Sequence, residues 1–145
     1  LEGAQQHYEA ELAWADRALE VRETEERAWL CRGRALVGLE RPEEARGAFV
    51  EALTLEPRLL EAHLELGSIA QRDGDYVVAA EHFRRAVAAE PASETGWFNL
   101  GAVLEELGSF EDAAAALRHA LILNPDATHA RELLGRLPTA LSSAR

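Results

Sequence analysis

The chain has 145 residues, 48% of them apolar and 6% aromatic, with a formal charge of −11. That charge argues against nucleic acid as a partner, because a polyanion needs a basic stripe, and equally against an anionic membrane surface. The single Cys31 excludes an intramolecular disulfide, and no apolar run approaches the length of a membrane span.

In chain order, Leu1–Thr24 reads as one amphipathic helix, with Tyr8, Leu12, Ala15 and Leu19 at helical spacing. Trp14 is expected to pack, the alternative being a contact to whatever precedes it. Glu26–Leu39 is a second helix, on which Cys31 is expected to be a semi-buried, inert thiol. Arg32 on it is predicted to lay its stem on the core with its head in water, a specific ion pair being the other possibility. Pro42 opens the next helix, since proline suits the first helical position. Leu60–Asp73 and Tyr76–Ala89 follow, with Gly74 ending the first by a positive φ and Asp75 as N-cap of the second. Glu94–Leu107 and Phe110–Leu123 form a similar pair. There Gly108 ends a helix, and Ser109 with Asp112 resembles a capping box. Gly96 is expected to weaken the start of its helix. Thr128–Leu137 carries an apolar stripe of Ala130, Leu133, Leu134 and Leu137, and Pro138 stops it. Thr139–Arg145 is short and polar, and is expected to fray.

These elements repeat. Trp97-Phe98-Asn99-Leu100-Gly101, then Ala113, Leu117, Ala120 and Pro125, set a register of 34 residues. Shifted back once, it meets Gly67, Ala79, Phe83, Ala86 and Pro91; shifted back twice, it meets Trp29, Gly33, Ala45, Phe49, Ala52 and Pro57. Shifted forward, it meets Gly135. Ala18-Leu19 matches Ala52-Leu53, but Glu11 replaces the small residue of the later units and Glu23 replaces the proline. Such a period means stacked supersecondary units that bury their apolar faces on one another. Glycine and alanine are expected where helices cross closely, with Phe49, Phe83 and Leu117 filling a wider gap one turn on.

The pattern resembles the tetratricopeptide repeat. The resemblance implies an all-α, right-handed superhelical solenoid. Its units would be an N-terminal half-repeat over 1–25, full repeats over 26–59, 60–93 and 94–127, a capping helix over 128–137 and a tail over 138–145. It also implies a concave groove lined by the first helix of each repeat, where an extended peptide or a partner helix lies. The first repeat would contribute Arg27, Leu30, Cys31, Arg34 and Val37. The second would contribute Glu61, Leu64, Glu65, Ser68, Gln71 and Arg72. The third would contribute Thr95, Phe98, Asn99, Ala102 and Glu105, and the last helix His129, Glu132 and Arg136. Asn99 is the residue most expected to bond a bound backbone, since one amide side chain both donates and accepts. One subfamily clamps the acidic tail of heat-shock chaperones with Lys, Asn, Asn, Lys and Arg. The matching positions here hold Leu30, Arg34, Glu65, Thr95 and Asn99; only Arg34 keeps the charge, and Glu65 would repel, so that reading is set aside. A subfamily with an asparagine ladder is matched by Asn99 alone.

Catalytic chemistry is not expected. The five histidines form no metal-ligand spacing, and His82 and His119 read as solvated or half-buried. Neighbouring pairs such as Glu105-Glu106 point different ways on a helix. Every glycine is explained by the repeat, and no nucleophile motif is present. No cofactor or metal is therefore expected.

Charge is uneven. Residues 1–25 hold two Arg against seven acids, for −5, and 26–59 hold six of each, for zero. Residues 60–93 stand at −3, 94–127 at −5 and 128–145 at +2. With Arg27, Arg34 and Arg58 read onto the groove side of the neutral unit, an acidic segment or terminal carboxylate is expected to dock there. The function expected is thus a protein–protein interaction module for a peptide or helix. Alternatives are a regulatory or substrate-recruiting arm of a larger enzyme, or a self-assembling scaffold; a monomer or weak self-association is expected. The chain opens on Leu1 without Met, so a fragment or processed form is one reading; compartment is left unassigned, leaning to the cytoplasm.

Overall fold

The computed structural model describes residues 1–22 and 25–138. Glu23, at the proline mark, and the Thr139–Arg145 tail lie outside the described residues. The described residues form eight α-helices and no strand: α1 Glu2–Val21, α2 Glu26–Gly38, α3 Pro42–Leu55, α4 Leu60–Arg72, α5 Tyr76–Ala89, α6 Glu94–Glu106, α7 Phe110–Leu123 and α8 Thr128–Arg136. The pairs α2/α3, α4/α5 and α6/α7 are hairpins stacked in sequence, with α1 against α2 and α8 against α7.

The turns inside the hairpins are chemically the same. The chain leaves each first helix through a left-handed residue: Gly74 with φ 78°, Gly108 with φ 74° and, at the matching place, Glu40 with φ 57°. In each, the amide two residues into the turn reaches back five positions: Arg41 to Leu36, Asp75 to Ala70 and Ser109 to Leu104, all at 2.9 Å. This closes the otherwise orphaned carbonyls of the helix end. Glycine takes the left-handed conformation without strain, whereas Glu40 holds it at a cost.

Helix starts differ from expectation. Asp75 and Ser109 stand at N-cap positions, but neither side chain makes a cap bond. Their ψ values of 69° and 64° fall short of the extended backbone that aims a capping side chain into the first turn. Ser93, with ψ 99°, does cap, accepting from the Gly96 amide at 3.0 Å. Gly96 does more than weaken this start. A Cβ there would lie 2.9 Å from Val87 Cγ1, so the close approach of α6 to α5 requires its absence.

Between hairpins, the proline carbonyl is held by a side chain six residues on. His63 Nε2 meets Pro57 O at 2.9 Å and Trp97 Nε1 donates to Pro91 O at 2.9 Å. At the same mark the Arg131 guanidinium donates to Pro125 O. Three different side chains thus supply one N–H donor to one kind of turn.

The core runs through the hairpins as a layer. Gly33, Gly67 and Gly101 are buried. The Phe49 and Phe83 rings and the Leu117 side chain lie directly on them, not one turn on as expected. A Cβ on Gly67 would fall 2.5 Å from Phe83 Cε1, and one on Gly101 2.7 Å from Leu117 Cγ. The missing side chain is the hole that the large residue fills. Phe49, Phe83 and Leu117, and Ala45, Ala79 and Ala113 one turn earlier on the same helices, are fully buried. Arg32 realises the specific pair: its Nε donates to Asp16 Oδ1 at 2.8 Å, and its guanidinium carbon lies 5.9 Å from the Trp29 ring centre. This ties α1 to α2.

Candidate functional site

The first helices α2, α4 and α6 stand in sequence along one side of the array, and most of the groove residues read from sequence are partly accessible there. Glu61, Leu64, Glu65 and Ser68 of α4 are half-buried, as are Phe98, Asn99, Ala102 and Glu105 of α6; Arg27, Arg34 and Arg72 are exposed. Leu64, Phe98 and Ala102 also rest on the core beneath, which limits the rotamers they can adopt.

Two residues depart from expectation. Leu30 is 7% exposed and belongs to the core with Leu36 and Phe49, so it offers almost nothing to a ligand. Arg58 is not on the side of Arg34. It donates to Ala88 O at 3.2 Å, and with Pro57, His63 and Arg85 it lines a hollow at the end of α5. Arg34 itself is engaged, its Nε donating to Glu65 Oε1 at 3.1 Å. The residue expected to repel an acidic ligand is therefore the one that occupies the cation.

Two features were missed from sequence. His63 Nδ1 and His82 Nδ1 meet at 3.3 Å between α4 and α5. His63 must keep its Nε2 proton for Pro57 O, a pure acceptor, so its Nδ1 accepts and His82 Nδ1 donates. Burial pushes both imidazoles below their ordinary pKa, and each is pushed further by positive charge nearby: Arg85 for His63; protonated His63, Arg85 and Arg46 for His82. The two histidines lie nineteen positions apart, and only the angle between two helices brings them together. The second feature is a cup of about 480 Å³ between α1 and α2, walled by Ala10, Glu11, Trp14, Cys31 and Arg34. Trp14 does not pack as expected but is 58% exposed on its wall.

A family model described as tetratricopeptide repeat matches residues 30–94, 71–128 and 98–137. The chain is a tetratricopeptide-repeat protein. Solved structures agree with this. A crystal structure of MamA superposes with a TM-score of 0.79 at 19% identity, covering 86% of this chain and 72% of that one. A second MamA structure gives 0.81 at 18% identity, covering 90% and 71%. The first tetratricopeptide repeat domain of Spaghetti (RPAP3), solved with the HSP90 peptide SRMEEVD, gives 0.75 at 20% identity, covering 81% and 94%. A comparison with curated protein sequences gives no match. At these identities the likeness establishes the shared all-α solenoid. Among the described residues of this tetratricopeptide-repeat protein, no helix is long and apolar enough to cross a membrane.

Proposed function

We propose that the face lined by α2, α4 and α6 is the concave groove of an interaction module, and that it holds an extended segment or a helix of a partner protein. The observation that carries this reading is the half-burial of Leu64, Phe98 and Ala102, with Ser68, Asn99 and Glu105 half-buried on the same two helices. The three apolar side chains rest on the core, so a ligand need not order them on binding. Asn99 supplies a donor and an acceptor for a peptide unit. A protein of the same fold holds a peptide in its solved structure, which supports the class of partner.

The ligand we favour carries an acidic segment, received by Arg27 and Arg34. The Arg34–Glu65 pair is solvent-exposed on the arginine side, and such pairs contribute only about 0–1 kcal/mol. An incoming carboxylate can therefore take the place of Glu65. Anisotropy titrations with a fluorescein-labelled Asp/Glu-rich peptide bearing a free C-terminus test this. Arg34→Glu should weaken binding and Glu65→Gln should strengthen it, while a basic peptide of equal length should not bind. Equal affinity for all three proteins would remove the acidic segment from the proposal. Selection from a random peptide display library that enriched nothing would remove the groove.

A further inference from the structure

Among the described residues the buried apolar side chains fall into two clusters, and the boundary between them lies inside the second repeat. Both helices of the first hairpin feed one cluster, with Leu30, Leu36, Ala45 and Phe49. Both helices of the third feed the other, with Leu100, Val103, Ala113 and Leu117. The second hairpin is divided. Ala62, Leu66 and Ile69 of α4 belong to the first cluster, while Ala79, Phe83 and Val87 of α5 belong to the second, joined by Ala70 from the last turn of α4. The contacts that cross this seam include the Phe83 ring on Gly67 and the imidazole pair of His63 and His82.

The sequence accounts for the seam. At the marks of His63 and His82 the first hairpin has Trp29 and Ala48, and both belong to or pack on its cluster. The third has Trp97 and Ala116, in the same relation to theirs. Apolar residues at both marks let the core continue from helix to helix. In the second hairpin imidazoles interrupt it, and a hydrogen bond of 3.3 Å takes its place.

That bond has room for one added proton and not for two. In the neutral pair His82 Nδ1 donates to His63 Nδ1, and His63 Nε2 donates to Pro57 O. A first proton enters at His82 Nε2 and leaves the bond intact, now charge-assisted. A second has only His63 Nδ1 left, and sets two N–H donors head to head. His63 is 3% exposed, so its charge would sit out of water with the new N–H unpaired. Charged groups reach the pair from α3, from α5 and from the turn before α4. Arg46, held by Asp73 at 2.7 Å, and Arg85, held by Glu81 at 2.6 Å, oppose a proton on His82. Arg85 also opposes one on His63, whereas Glu81 favours one on His82. Arg58 lines the hollow beside His63.

We propose that the second hairpin is an acid-released latch: the second proton parts α4 from α5 at the seam, and the array opens at its middle into two halves that each keep a core. The open hairpin binds more protons than the closed one, so falling pH favours it, and the two imidazoles titrate as one unit. Once parted, α4 and α5 are helices of 13 and 14 residues packed on one side only, a length that is marginal without full packing. The opening is local and precedes global unfolding. It is separate from whatever the concave face binds.

Amide exchange of the whole chain followed by mass spectrometry at pH 7 and pH 5, corrected for the intrinsic pH dependence of exchange, tests this. Protection in α4 and α5 should fall several-fold more than in α2, α3, α6 and α7. His82→Gln keeps an N–H donor for His63 Nδ1, offers an oxygen once that nitrogen is protonated, and takes no proton itself. It should remove most of the excess loss at pH 5, with helical circular dichroism at pH 7 unchanged. The imidazole resonances of the unaltered chain give a check that needs no variant, since the His63 signal should titrate together with the loss of protection. Protection that falls equally in all helices, an excess loss that survives His82→Gln, or a His63 that takes up its proton with α4 and α5 still protected would overturn the proposal.

Discussion

Gly67 and Gly135 occupy the same mark one and three units along the array, in helices of the same register, yet their surroundings have nothing in common. Over Gly67 lies the Phe83 ring, fully buried; over Gly135 there is open space. The comparison separates what a repeat residue does from what it is. Glycine has value at this mark only where a second helix brings a large side chain down on it. Without that partner it is a flexible residue in a helix, and weakens it.

Breaking the covered site should cost most. Phe83→Ala removes a fully buried ring and is expected to destabilise by about 3–5 kcal/mol in urea unfolding. Gly67→Ala keeps the ring but forces it aside, at about 1–3 kcal/mol. The same substitution at Gly135 should instead stabilise by about 0.5–1 kcal/mol, the helix preference for alanine. Equal effects of Gly→Ala at the two places would show that the ring does not decide the matter.

The turns sharpen the same contrast from the other direction. Glu40 holds the left-handed backbone that Gly74 and Gly108 hold in the later hairpins. Glu40→Gly should therefore gain about 0.5–1 kcal/mol, with Gly74→Glu losing a similar amount; a urea midpoint series reads both.

Repeat two also differs from its neighbours in its histidines. His63 and His82 stand where the first repeat has Trp29 and Ala48 and the third has Trp97 and Ala116. Both histidines have folded pKa values below the ordinary 6.5, so below that pH the unfolded chain binds more protons than the folded one. Their contribution is whole above pH 6.5 and declines as the pH falls through it towards the lowered folded values. The doubly substituted His63→Trp, His82→Ala chain should lose this part of the acid sensitivity between pH 7 and 5. An unchanged slope would place the sensitivity elsewhere.

The proposed groove was only partly legible. Arg34, Leu64, Asn99 and Phe98 could be placed on first helices by register, because register fixes which face of a helix a residue occupies. Register does not say who occupies whom. Glu65 reads as a repulsive residue in a list of charges, but at 3.1 Å it is Arg34's partner. Leu30 reads as groove lining, but the stacking of the second hairpin on the first buries it.

The sequence by itself determined the helices, their pairing and the recurrence of glycine, alanine and proline, since these follow from local backbone preference and a strict period. The tertiary structure alone decided the meeting of His63 with His82, the shared proline-carbonyl bond made by His63, Trp97 and Arg131, and the open cup beside Trp14. The first and last depend on the angle and distance between packed helices, and the second on how a turn aims the side chain six residues on; a one-dimensional period carries no information about any of these.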